Sequence, residues 1–387
     1  MKKICIVSTC RSDFGIISNI VKKIQFEKNI KSSFLIYDIH KNQKLGNSID
    51  EIKAQNIKID FIVKPSIKIF TNKELNLSYR LGSTIFEVSK ILNKIKPDIV
   101  ILYGDRIELM SFALASVLQK IPVGHINGGE LTYGAYDELV RHSLTKISNY
   151  HFVASQKNKK ILIQMGEEEK NIFNIGHPVY ENIKNINLLN KLELEKKLSF
   201  KFKKKNALVS YHSVTLMKDY GIQELKTLLS CLEKKKEIQF FLSYPNFDVG
   251  HEEVIKLLEK YSKKNKHFIL RKTFGHRMYL SMLKNVDFII GNSSSGILEA
   301  PIFKTAAINI GSRQKGRTRT SSILDCNSKH KEINKVINSV YEVNFLKKLK
   351  KTKLQYSYKD SADIMIKKLK KIIKNPKVEK IFQFRNV

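Results

Sequence analysis

"VDFIIGNSSSGILEAP" (286–301) is the stretch on which the reading of this chain turns. Val286, Phe288, Ile289 and Ile290 form an apolar run, residues 291–296 are all glycine, asparagine or serine, and a helix start follows. A buried strand that ends in small residues and opens into a helix is one unit of a parallel α/β sheet. The same turn offers backbone N–H groups and hydroxyls to an anion at the strand's carboxyl end.

Outward from this stretch the pattern repeats. Strand-like runs stand at 4–9 ("ICIVST"), 33–38, 98–104 ("DIVILYG"), 122–127 and 151–155, with helix-like segments at 15–27, 79–95, 107–119 and 137–148 between them. A Lys-, Glu-, Asn- and Leu-rich pause at 181–206 precedes a second series at 206–212, 238–244, 267–272, 286–292 and 306–311, and a helix at about 358–375 closes the chain. Buried strands alternating with amphipathic helices predict parallel sheets covered on both faces. The expected class is α/β, with two Rossmann-like domains, 1–183 and 184–387, facing a central cleft. Ligands in such sheets bind outside the carboxyl ends of the strands, so functional residues are expected there.

The bulk numbers agree with this organisation. A chain of 387 residues with 42% apolar content has material for two cores. No apolar run approaches the roughly 18 residues of a membrane span, which predicts a soluble protein with no membrane partner. "MKKICIVSTC" reads as a first buried strand, since the polar "RSD" interrupts it before an export signal could develop. Cys5, Cys10, Cys231 and Cys326 lie far apart without metal-ligand spacing, as reduced cytoplasmic thiols would. The net charge of +34 raises the question of nucleic acid, yet only 10 of the 70 basic residues are arginine and no nucleic-acid-binding signature is present. Attraction of small anions is the better expectation.

Six loops at strand ends carry the chemistry. "STCRSDFG" (8–15) places Arg11 and Gly15 at a strand-to-helix turn suited to phosphate. "YGDRIE" (103–108) sets Asp105 beside Arg106, where a helix cap with a solvated neighbour is the plainer alternative. "GHINGGELTYGAYDELVRH" (124–142) crowds His125, Asn127, Glu130, Asp137, Glu138, Arg141 and His142 together. Asp137 and Arg141, four apart, have the spacing of an ordinary helix-face ion pair, and the histidines lack zinc spacing. His212 comes right after the strand at 206–211, a candidate for binding or proton transfer, and Asn246 and Asp248 follow the strand at 238–244. The opening serine loop precedes "NIGSRQKGRTR" (309–319), whose Arg313, Arg317 and Arg319 suggest bidentate phosphate recognition.

Taken in order, "RSDFG", "GDR", "GGE", "DELVRHSLTK", "FNIGHP", "GNSSSGILEAP" and "NIGSRQKGR" resemble the hydrolysing UDP-N-acetylglucosamine 2-epimerases of the NeuC type, including those of legionaminic-acid pathways. The resemblance runs over nearly the whole chain. It implies a glycosyltransferase-B-like arrangement with the C-terminal helix returning toward the first domain, and a homodimer or homotetramer. It also implies roles for single residues. Arg11 and Arg106 would meet the diphosphate from one side, and Ser293 and Ser294 from the other. His212 and Asn246 would bind the nucleotide sugar, Glu299 the ribose, and Arg313 would flank the nucleotide.

Asp105 and Asp137 would act on the sugar, with release of UDP, a 2-acetamidoglucal and its hydration to free N-acetylmannosamine. No metal or other cofactor is implied. Some members carry a glutamate at the position of Asn127, so its role would pass here to Asp105, Asp137 or Glu130. Members also usually carry proline where this chain has Ser213. Alternatives of the same chemistry are UDP- or GDP-linked 2,4-diacetamido-2,4,6-trideoxyhexoses. A retaining glycosyltransferase or a nucleotide-sugar binding protein are alternatives of other classes.

Overall fold

The apolar runs become strands because their Val, Ile, Leu and Phe side chains are buried on both sides of a sheet. The computed structural model describes residues 1–356 and 360–384. Strands β1 (Lys2–Ser8), β2 (Ile30–Tyr37), β3 (Phe61–Val63), β4 (Ile99–Tyr103), β5 (Val123–Ile126), β6 (Tyr150–Val153) and β7 (Ile172–Asn174) form a parallel sheet in the order β3-β2-β1-β4-β5-β6-β7. Strands β8 (Lys205–Ser210), β9 (Ile238–Ser243), β10 (Phe268–Arg271), β11 (Phe288–Gly291), β12 (Ala306–Ile310) and β13 (Ile323–Cys326) form a second, ordered β10-β9-β8-β11-β12-β13.

Alternation along a strand feeds two cores. Ile4 and Ile6 of β1 face a cluster with Phe14, Ile17 and Val21 of the helix Arg11–Gln25, while Cys5 and Val7 face Leu35, Leu102 and Phe112 on the other side. In each sheet the strand order reverses beside the first strand, at β1/β4 and at β8/β11, and each reversal leaves a crevice at the carboxyl ends. The two rows of strand ends line one cleft, as the α/β reading anticipated.

Three strands went unread: β3, β7 and β13 are edge strands of three or four residues, too short for a periodic signal. The helix expected at 79–95 begins at Lys73, because the Asn72 side chain accepts from the Leu75 N–H at 2.9 Å. The pause at 181–206 holds a helix, Lys191–Leu198, opened by a reciprocal Asn190/Glu193 capping box.

The closing helix is Ser361–Ile372, and residues 358 and 359 of the expected span lie outside the described residues. Its Met365 and Leu369 join the Ile4 and Phe14 cluster, so this helix packs against the first sheet's layer. Glu181 fixes that return, accepting from the Ala362 N–H at 2.8 Å and from Lys23 at 3.1 Å. Beyond the helix, Lys377 N–H donates to the Tyr150 hydroxyl and Gln383 N–H to the Gly166 carbonyl. No helix among the described residues is long and apolar enough to cross a membrane.

Candidate active site

The cleft between the two sheets encloses about 190 Å3. Its first wall is made by the ends of β1, β4 and β5, carrying Arg11, Asp13, Asp105, Arg106 and Asn127, together with Asp137 from the start of the helix Asp137–Ile147. The second wall is made by the ends of β8, β9, β11 and β12, carrying His212, Asn246, Asp248, the serine loop with Glu299, Arg313 and Arg317.

Three guanidiniums organise the carboxylates. Arg141, fully buried, pairs with Asp105 and Glu138 and donates to the Glu130 carbonyl and the Thr132 hydroxyl, each at 2.9 Å. Arg313 reaches Asp137 at 3.7 Å, and Arg317 lies 3.4 Å from Glu130 and 4.0 Å from Asp105. Burial alone would raise Asp105, but Arg141 and Arg317 hold it below the usual carboxylate range. Asp137 goes the other way: burial and then the charge of Asp105 push it up to about 6. A pair of acids driven apart in this manner can divide anionic and proton-carrying roles.

Opposite them, the His212 backbone N–H donates to Asn292 Oδ1 at 2.7 Å, and Asn292 Nδ2 donates back to the His212 carbonyl at 2.8 Å. The Asn246 N–H donates to His212 Nδ1 at 3.1 Å, which leaves the ring proton on Nε2. Burial and then Arg313 lower His212 to about 3, so it is a neutral hydrogen-bond donor at neutral pH. Arg313 and Gln314 both donate to the Asn292 carbonyl, at 3.2 and 3.0 Å. The serine loop leads into a helix of only four residues, Ser295–Leu298, so what it offers is local N–H and hydroxyl groups rather than a macrodipole. Polar atoms without a partner among the described residues gather on these walls: Asn127 Oδ1, His276 Nε2, Arg313 Nε, Gln314 Oε1 and Arg317 Nε. Unpaired buried donors and acceptors in one cleft suit a polar ligand.

A family model described as UDP-N-acetylglucosamine 2-epimerase matches residues 22–370. The chain belongs to that family. It is 40% identical over 328 residues to the GDP/UDP-N,N'-diacetylbacillosamine 2-epimerase (hydrolyzing) of Campylobacter jejuni, covering 84% of each chain. It is 32% identical to the polysialic acid biosynthesis protein P7 of Escherichia coli, covering 97% of this chain and 95% of that one. The fold is similar to that of UDP-GlcNAc 2-epimerase from Neisseria meningitidis bound to UDP-GlcNAc, with a TM-score of 0.77 at 18% identity, covering 96% of this chain and all of the other.

Within this epimerase fold the expected residues do not all share one place. Arg11, Asp105, Asn127, Asp137, His212, Asn246, Ser293, Ser294, Glu299 and Arg313 line the cleft. Arg106 lines it too, but its guanidinium is taken up by Glu108 at 3.1 and 3.2 Å and by Asp248 at 3.0 Å, across the cleft. Glu130 is set behind the wall, engaged by Tyr356, Asn158 and Arg317. Gly15 is outside the lining and serves a close approach, since a Cβ there would come within 2.5 Å of His276 Nδ1. Arg141 departs from its helix-face reading: it pairs with Asp105 and Glu138 while Asp137 faces Arg313. Sequence reasoning read Arg317 as a phosphate contact and Arg141 as a helix-face partner, whereas both guanidiniums are held by carboxylates of the site; it passed over Tyr356 altogether. The scarcity of arginine was the signal for the two arginines; nothing local marks Tyr356.

Proposed function

We propose that this protein is a hydrolysing 2-epimerase of a nucleotide-linked 2-acetamido sugar. The observation that carries the reading is the opposed pair Asp105 and Asp137 in a cleft whose far wall presents Arg313, His212 and the serine loop. The far wall suits a nucleotide diphosphate, and the near wall suits proton transfer at the sugar. Carbon 2 has no adjacent carbonyl, so loss of its proton must accompany departure of the nucleotide. Asp137, raised toward the working pH, takes that proton. The C2–H electrons form the C1=C2 bond, and the C1–O bond breaks with its pair going to the diphosphate. Arg313 and the neutral His212 stabilise the charge that develops there. Water then adds its hydroxyl at carbon 1, and a proton returns to carbon 2 on the other face, giving a free manno-configured sugar.

Asp105 stays anionic and, through Arg141, orients the carboxylate side. Asn127, 5% exposed with φ at 71° and an unpartnered Oδ1, accepts from an N–H or O–H of the sugar. In this reading the role that a glutamate at this position would have in some members falls to Asp137, since Glu130 is behind the wall and Asp105 is held by Arg141. The strands of one sheet end at Asn174 and those of the other begin at Lys205, which supports two domains that meet at the cleft, although the expected division at 183/184 falls inside the helix Pro178–Asn185. Exposed Leu114, Val117 and Leu118 on the helix Glu108–Leu118 support pairing of subunits, and the four free cysteines a reducing cytoplasm.

Two substrates fit the reading. UDP-N-acetylglucosamine is supported by the family as a whole; a UDP- or GDP-linked 2,4-diacetamido-2,4,6-trideoxyhexose is supported by the 40% identity with the C. jejuni enzyme. Incubation with each nucleotide sugar in turn, with chromatography of free nucleotide and free sugar, tests this. Equimolar nucleotide and manno-configured sugar from one of them is expected. Release of sugar with its original configuration, or no release from any, would overturn it.

A further inference from the structure

Tyr356 lies on the connection that brings the chain back to the first sheet, before the helix Ser361–Ile372. Its ring packs 5.2 Å from the His177 ring and 5.9 Å, edge on, from Tyr180, in an apolar cluster with Val179, Leu280 and Leu298. This cluster joins the end of the first half, at residues 177–183, to elements of the second. From it the Tyr356 hydroxyl donates to Glu130 Oε1, which also accepts from Asn158 Nδ2 at 3.2 Å. Only Oε2 of Glu130 is left for Arg317, whose Nη1 donates to it at 3.4 Å while Nη2 stands 4.0 Å from Asp105. One guanidinium is therefore shared between a carboxylate behind the wall and a carboxylate in the cleft.

We propose that Tyr356 and Glu130 are positioning residues that set how Arg317 is shared between Glu130 and Asp105, and through it the protonation of the Asp105–Asp137 pair. The proposal deepens the epimerase reading and rests on it for its catalytic meaning. The physics is a competition. With Oε1 occupied by Tyr356 and Asn158, Glu130 holds Arg317 with one oxygen, and the guanidinium still reaches Asp105. Without the Tyr356 hydroxyl, Glu130 is free to turn both oxygens to Arg317, the bidentate geometry that guanidinium favours, and to draw it off Asp105. Without the Glu130 charge, Arg317 falls to Asp105 alone.

The other groups facing the pair are constant in this comparison. Arg141, Arg313, Asp13, Tyr103 and His125 face Asp105, and Arg313, Arg141 and Asp248 face Asp137. The two substitutions therefore have opposite signs. In Tyr356→Phe, positive charge recedes from the pair and its upper titration moves up. In Glu130→Gln, positive charge approaches, a negative one is lost, and the same titration moves down. Each shift should be on the order of half a pH unit, the size of a partial change in one neighbouring charge.

The experiment is a 13C-carboxyl NMR titration of aspartate-labelled full-length protein, with the upper titration identified by its loss in Asp137→Asn. Tyr356→Phe keeps the ring in its cluster, and Glu130→Gln keeps one carbonyl oxygen for Tyr356 and Asn158 while giving up the oxygen that Arg317 holds, so both are expected to fold. Shifts of opposite sign support the proposal. Shifts of the same sign, or none in either variant, overturn it, since a purely structural role has no reason to give opposite signs. The titration is read on the protein alone, so inactivity toward every nucleotide sugar would count against the epimerase reading and leave this result standing.

Discussion

Asp105 and Asp137 share a buried cleft in which two equal negative charges would repel, and the arginines around them break the tie. The active form of Asp137 as a base is the anion. With Asp137 raised to about 6, the anion dominates at neutral pH and is lost as pH falls through that value. The rate constant kcat/KM should therefore fall about tenfold per unit below that midpoint. Asp137→Asn should remove the limb along with at least about 100-fold in turnover, with UDP affinity retained. An unchanged pH profile would take Asp137 out of the proton-transfer role. Arg313 stands on the other wall and pins the loop through the Asn292 carbonyl. Arg313→Ala should weaken UDP binding by about 10- to 100-fold, the size of a lost charge-assisted hydrogen bond, as read by calorimetric titration.

At the scale of elements, the opening stretch shows why its glycine is there. Gly291 ends β11 at φ 141°, and a Cβ would lie 2.0 Å from the Ser210 carbonyl oxygen on neighbouring β8. That atom is backbone and cannot rotate away. Gly291→Ala should cost about 3 kcal/mol in chemical denaturation, and a loss below about 0.5 kcal/mol would contradict the contact.

Strand-end placement made Asp105, Asp137, His212 and the serine loop legible, because apolar runs mark sheets and sheets direct attention to their carboxyl ends. The edge strands β3, β7 and β13 were not legible, since three or four residues carry no period. Glu130 was read as a candidate base for a different reason: its place in the 124–142 motif puts an acid near the site but does not say which side of the wall it occupies. Its partners Tyr356 and Arg317 are 226 and 187 residues away in sequence, a separation no local pattern reports.

Across the whole molecule, the two halves meet through two ion pairs and a backbone hydrogen bond. Arg106 joins Asp248, Lys73 joins Glu253, and the Tyr133 N–H donates to the Lys315 carbonyl at 2.8 Å. Asp248→Ala should loosen this closure, enlarging the radius of gyration in small-angle scattering and raising KM more than it lowers kcat. Identical scattering with and without the substitution would mean that the remaining contacts, the Lys73–Glu253 pair and the apolar cluster around Tyr356 among them, hold the halves without it. Closure matters because the proposed chemistry exchanges a carbon-bound proton in a site from which bulk water must be kept until the nucleotide has left.

That exchange is open to direct observation in a proton NMR time course in deuterated water with the nucleotide sugar that the protein turns over. Free manno-configured sugar carrying deuterium at carbon 2, formed together with free nucleotide, is the predicted result. Product that keeps its original proton at carbon 2 would contradict elimination and hydration by this cleft.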